Sequence, residues 1–127
     1  MIKFDLEKVL LLQQLTIEAS GGTAGVRDFN LLDSALNNCY QTFDGKELYP
    51  SKEEKGAILG FSLVSNHAFV DGNKRIGLLI MLSFLEFNGI KLKYTDEEMT
   101  ALGMGLADGS ISYEKLLDWI RSHENNN

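Results

Sequence analysis

Between Asp5 and Ala19, the residues Leu6, Val9, Leu10, Leu12 and Leu15 recur at helical spacing, and Gly21-Gly22 ends the run. That pattern predicts a first amphipathic α-helix. After GGTAGVR, Asp28 can accept backbone hydrogen bonds at the start of a second helix, with Phe29, Leu32, Ala35 and Leu36 on one side and an end near Cys39. Tyr40 to Pro50 mixes aromatics, Asp44-Gly45 and the single proline, a composition that predicts a loop or short hairpin. Ser51 and Glu54 form a capping box, each side chain satisfying the other's unpaired N–H. The helix they open runs through Ala57, Leu59, Leu63 and Val64 and delivers His67 at its C-terminal end. A break at Asp71-Gly72-Asn73 precedes the apolar segment Ile76 to Phe87, which Asn88-Gly89 closes as a left-handed terminator. Ile90 to Tyr94 reads as a brief extended piece. A second capping box, Thr95 with Glu98, opens a helix to about Ala107, and Asp108-Gly109 separates it from a last helix with Ile111, Leu116, Leu117, Trp119 and Ile120.

No internal repeat, Pro- or Ser-rich linker or series of strands interrupts this order, so the fold class is mainly α. With 127 residues, 44% of them hydrophobic, the chain supports one core. The expected organisation is a single domain over 1–124 and a disordered tail over 125–127. Twelve Lys+Arg against 18 Asp+Glu give a formal charge of −6, without a basic stripe to neutralise a row of phosphates, which argues against direct binding of duplex nucleic acid. Cys39 is the only cysteine; it excludes an internal disulfide and reads as a small apolar filler in a reducing compartment. MIKFDLEKVLLLQQL has acids within its apolar stretch and no small-residue cleavage site, unlike a signal peptide. Its longest apolar window, Ile76 to Phe87, is shorter than the roughly 18 residues a membrane span needs. A cytoplasmic location, away from any membrane, is expected.

Against this background one segment carries chemistry. Within nine residues, at a junction between two helices, stand His67, Phe69, Asp71, Gly72, Asn73, Lys74 and Arg75. The first N–H groups of a helix lack intrahelical partners and carry partial positive charge, so an anion is favoured there. Gly72 lets the backbone approach that anion, and Lys74 and Arg75 add full charges, arginine in a fork that matches phosphate oxygens. Asp71 offers the hard oxygen that Mg²⁺ prefers when a nucleotide's phosphates already hold it. His67 has a side chain suited to taking a proton from an attacking hydroxyl near neutral pH. A purely structural account makes His67 a capping residue and Lys74 and Arg75 a solvated first turn. Two cations there oppose the macrodipole at a cost of about 0.3–1 kcal/mol each, which a bound anion explains better.

The segment HAFVDGNKRIG resembles the signature of the Fic/Doc superfamily, and lysine after Gly-Asn resembles its Doc, or death-on-curing, toxin branch. The likeness extends to GGTAGVRDFNLLDSAL, SFLEFNGIKL and ADGSISYEKLLDWI, covering roughly Leu6 to Ile120. It implies a compact helical bundle with a small flap loop or hairpin, whose motif loop binds ATP or another nucleoside triphosphate with Mg²⁺. His67 is then the general base toward a hydroxyl on a target protein and Asp71 the metal ligand. Gly72, Asn73, Lys74 and Arg75 bind and polarise phosphates, and Phe69 anchors the loop. In Doc-type toxins the reaction is understood as phosphorylation of a threonine on elongation factor Tu, which stops translation.

Departures from the wider superfamily narrow the reading. Ala68 replaces a common proline, a minor change. Leu78 stands where AMP-transferring Fic enzymes carry a second arginine, and Lys74 where they carry a second glycine; both argue for a kinase over AMP transfer. Ser65-Asn66 match no functional residue. The autoinhibitory pattern, Ser or Thr followed four residues later by Glu and then Gly or Asn, is absent; Ser110 with Glu114 comes nearest, followed by Lys115. Inhibition then falls to a separate antitoxin whose helix docks in a groove of the bundle. The rival readings are a Fic-type nucleotidyl transferase and an inactive module that binds nucleotide or antitoxin.

Other features read as structural. Gly103, Gly105 and Gly109 follow no strand and signal close helix packing rather than a dinucleotide loop. Asp96-Glu97-Glu98 suits the dipole of a first helical turn better than a metal. Trp119 is read as core, Lys91 and Lys93 as the exposed side of a short strand, and His123 as a tail residue without a partner. Thr42 to Pro50, with Phe43, Leu48 and Tyr49, is either a flap that aligns a target peptide by strand addition or a loop whose aromatics pack down.

Overall fold

The computed structural model describes residues 5–21, 25–66 and 73–125. In chain order these form α1 (Leu6–Ser20), α2 (Phe29–Asn38), β1 (Thr42–Phe43), β2 (Lys46–Glu47), α3 (Lys52–Ser65), α4 (Asn73–Phe87), α5 (Asp96–Asp108) and α6 (Tyr113–Ser122). The mainly α class with one small hairpin is as expected. Helix starts follow their chemical marks. Asp5 accepts the Lys8 N–H at 2.9 Å and Asp28 the Leu31 N–H at 3.1 Å. Both capping boxes form, Ser51 with Glu54 and Thr95 with Glu98. After α4, Gly89 adopts φ 90° and the Ile90 N–H reaches back to the Leu85 carbonyl at 2.8 Å, the left-handed stop that Asn88-Gly89 announced. Among the described residues no helix is long and apolar enough to cross a membrane.

α3 is central, packing on α4 above all and also on α2, α5 and α6. Its contact with α4 is set by glycines. A Cβ at Gly56 would lie 2.6 Å from Leu85 Cδ2, one at Gly60 2.8 Å from Met81 Sδ, and one at Gly77 2.7 Å from Val64 Cγ2. The contacts step by four residues in opposite directions, so the antiparallel helices seat large side chains in glycine notches. Around this seam lie Leu59, Leu63, Ile76, Ile80 and Phe84, all at most 2% exposed. Buried Cys39 belongs to the interior, as expected. Gly103 and Gly105 likewise admit Leu78 and Ile111, while Gly109 takes the left-handed cap of α5 at φ 84°.

Four sequence expectations need correction. Leu15 is 52% exposed; the buried stripe of α1 is Val9, Gln13 and Ile17. Gln13 is tolerated there because both ends of its amide are used, Nε2 donating to the Gly25 carbonyl at 2.9 Å and Oε1 accepting the Gly25 N–H at 3.1 Å. In α2, Leu32, Ala35 and Leu36 are buried but Phe29, the first helical residue, is 57% exposed, projecting beyond the end of the core. Trp119 is half-buried at the edge of the core rather than inside it, and stacks on His123 with ring centroids 4.0 Å apart.

His123 is therefore not a tail residue without partners. Its Nε2 bonds Glu98 and its Nδ1 lies 2.7 Å from the Trp119 carbonyl. Leu92 and Glu124 form an antiparallel bridge, the Lys93 N–H donating to the His123 carbonyl and the Asn125 N–H to the Lys91 carbonyl, each at 2.8 Å. The extended piece expected at Ile90 to Tyr94 is thus the partner of the chain's last described residues. The bond from His123, followed by that from the Thr95 N–H, holds the Glu98 carboxyl below the usual carboxylate range. A carboxyl whose folded-state pKa is depressed contributes stability above its unfolded pKa and loses it as pH falls through the folded value. Glu98→Gln keeps the capping geometry without the charge, so its melting temperature is expected to fall less than the parent's from about pH 6 to about pH 3; equal falls would refute the linkage.

Candidate functional site

α4 starts at Asn73, directly after the motif's Asp71-Gly72, and its first turn holds Lys74 and Arg75 without an acidic residue. Both cations are exposed. The unfavourable placement against the helix dipole read from the sequence is real, and the two charges sit where unpaired N–H groups already favour an anion. Asn73 opens the helix; its side chain lies outside the described residues, as do His67, Phe69, Asp71 and Gly72. Among the described residues no group of three or more His, Cys, Asp or Glu side chains converges as on a metal.

Lys74 and Arg75 form the polar end of a cleft of about 450 Å³ between α1, α4 and α5. Along α4 the cleft continues over Leu78, Leu79 and Leu82, and Met99, Gly103 and Met104 of α5 form the facing wall. Leu78, one turn after Lys74, is 7% exposed and packs on Gly103, where an added Cβ would lie 3.2 Å from Leu78 Cδ1. Leu78 makes this stretch of the cleft an apolar wall. Exposed Leu11, Leu15 and Met104 enlarge the apolar surface of these two helices.

The end of α3 is fixed by a residue that carried no assignment in the sequence. Asn66 caps the helix, and its Nδ2 donates to the Leu31 carbonyl of α2 at 3.2 Å. Its Oδ1 is buried without a hydrogen-bond partner among the described residues. Nearby, Asn38 Nδ2 donates to Ser62 Oγ at 3.2 Å. α2 thus braces the last turn of α3, from which the motif departs. An asparagine after the last helical turn is the signal that could have marked this role, since asparagine often closes helices.

The hairpin is built on Asp44 and Gly45, at φ 53° and 77°, which give the two-residue turn that right-twisted strands favour. Thr42 faces Glu47 and Phe43 faces Lys46. The Leu48 N–H closes the base on the Gln41 carbonyl at 3.0 Å. Residues 41–48 are all exposed and Phe43 is 75% exposed, so its ring does not pack down. The Tyr49 ring does, edge-on against Tyr113 at 5.4 Å. Burial, with Glu54's charge second, pushes the Tyr113 phenol up to about 12.

The described residues thus form a helical bundle with two exposed cations at the start of α4 and an exposed hairpin. The Fic/DOC family model matches residues 3–85, and the chain belongs to that family. It is also similar to Toxin Doc of Mycolicibacterium smegmatis, 45% identical over 74 residues that make up 58% of this chain and 57% of the relative. The chain thus spans a little over half the length of that curated relative.

Proposed function

We propose that the protein is a Doc-like toxin kinase that transfers the γ-phosphate of ATP, or another nucleoside triphosphate, to a hydroxyl of a translation protein such as elongation factor Tu. The observation that carries the reading is the pair Lys74 and Arg75 in the first turn of α4, which holds no acidic residue, beside a cleft lined by the apolar side chain of Leu78. Lys74, Arg75 and Asn73 bind the phosphates with Gly72, and Asp71 would hold Mg²⁺, a cation that would supply charge neutralisation there. His67 takes the proton from the attacking hydroxyl, and Phe69 anchors the loop. Hairpin β1–β2 offers an edge to the target segment, supported by its exposed strands and by Phe43 standing free of the core.

Regulation falls to a cognate antitoxin. An amphipathic helix with acidic residues at one end would match the cleft, apolar along α4 and α5 and basic at Lys74 and Arg75. Reaction with its target and docking of that partner are both expected in the cytoplasm.

The test uses purified protein, a cell lysate, Mg²⁺ and ATP labelled separately on the γ and α phosphates. Label from γ alone is expected. Label from α would replace the kinase by a nucleotidyl transferase, and His67-independent or absent label would leave a binding module.

A further inference from the structure

Lys55 is a buried cation that phosphate chemistry leaves unused. It sits in the first turns of α3 at 2% exposure, among the largest fully buried side chains of the protein. An ammonium there is doubly unfavourable, removed from water and close to the positive end of a helix dipole. Replacing a buried ion pair by an apolar side chain of similar volume is often neutral or stabilising, so stability alone does not call for lysine. Its contacts point to a different reason. Nζ donates to Glu47 Oε1 at 2.9 Å and to the Tyr49 carbonyl, and lies 6.0 Å from the Tyr40 ring centre. All three partners belong to the segment that carries the hairpin.

That hairpin needs a support from outside. Two strands of two residues do not persist alone in water, and residues 41–48 are all exposed. Glu47 lies in β2 and Tyr49 two residues beyond, so Lys55 fixes the returning strand and leaves β1, with Phe43, facing outward. We propose that Lys55 is a positioning residue that holds hairpin β1–β2 as a preformed edge for the target segment, setting affinity for the protein substrate without touching it. The inference rests on the hairpin's part in the proposed function.

Two measurements on the full chain test it. In Lys55→Met, exchange of the Leu48 amide, which closes the hairpin base, is expected to accelerate about tenfold or more. The lysate concentration giving half-maximal γ-phosphate labelling should rise about tenfold, with the plateau and the ATP dependence within about twofold of the parent. Lys55→Arg, which keeps the charge and the donors, should restore most of both, and Glu47→Gln, a half-exposed site that leaves the fold intact, should show the same pattern more weakly. Unchanged Leu48 exchange in both Lys55→Met and Glu47→Gln overturns the tether. Faster exchange with an unchanged half-maximal concentration, or a loss confined to the plateau, overturns the positioning role. A parent protein that labels nothing overturns the proposed function and this inference together, whereas the first two results strike Lys55 alone.

Discussion

His67→Ala is expected to lower γ-phosphate labelling of the target by about 10²–10⁴-fold, the span attributed to a positioned general base, and to abolish growth arrest in cells that express it. The expected loss is one of catalysis, and the frame gives a control for it. The contacts that join α3 to α4 run from Gly56 to Val64 on one helix and from Gly77 to Leu85 on the other, and α2 braces the end of α3 through Asn66. The variant's melting temperature is expected to stay within about 2 °C of the parent's, and a larger fall would make the loss of labelling a stability effect. ATP affinity should also persist, because the proposed phosphate ligands Gly72 to Arg75 are untouched. A variant as toxic as its parent would remove His67 from the mechanism. Equal loss of ATP binding and labelling would move it from base to ligand.

The second large effect is on the frame. Gly77→Ala is expected to destabilise the protein by about 2–3 kcal/mol, the upper part of the range for overpacking a tight core, or roughly 8–11 °C in melting temperature for a domain of this size. Alanine normally gains about 1 kcal/mol over glycine inside a helix. Here its methyl would meet Val64 Cγ2 at 2.7 Å, with the Val64 backbone nitrogen at 3.2 Å and Leu63 Cβ at 3.3 Å. Backbone and Cβ atoms cannot swing aside as a side-chain tip can, so the helices must separate. Gly56→Ala is the informative comparison. The nearest neighbours of its methyl are the outer atoms of the Leu85 side chain, Cδ2 at 2.6 Å, Cγ at 2.9 Å and Cδ1 at 3.4 Å, which can shift more cheaply. Gly77→Ala should therefore be the worse of the two, and a stabilised Gly77→Ala would show that α3 and α4 do not meet as described.

The helices were legible because their ends are written in local chemistry. Ser51 with Glu54, Thr95 with Glu98 and Asn88-Gly89 act within four residues, a range that sequence displays directly. What escaped depends on partners far away in the chain. The burial of Gln13 could not be read locally, because Gly25, which satisfies it, lies twelve residues on. His123 looked idle because Glu98 approaches it from another helix. Lys55 went unremarked among the charged residues of a first helical turn, although the fold buries it completely. Of the site, Lys74 and Arg75 take the places expected, at the start of α4 beside a cleft. The width and apolar lining of that cleft could not be read beforehand, since they arise where α1 and α5 meet the same face of α4.

The docking of α1 on α4 also bears on how the molecule assembles. α3 and α4 are neighbours in sequence, so the loop closed by their pairing is short and its entropic cost small. α1 leads the chain yet finds its main partner in α4, after two other helices and the hairpin have been made. During synthesis its leucine-rich surface must wait for that partner, and Leu11 and Leu15 remain uncovered even in the finished fold. Of the helices that precede α4, α1 thus waits longest for the partner that covers it.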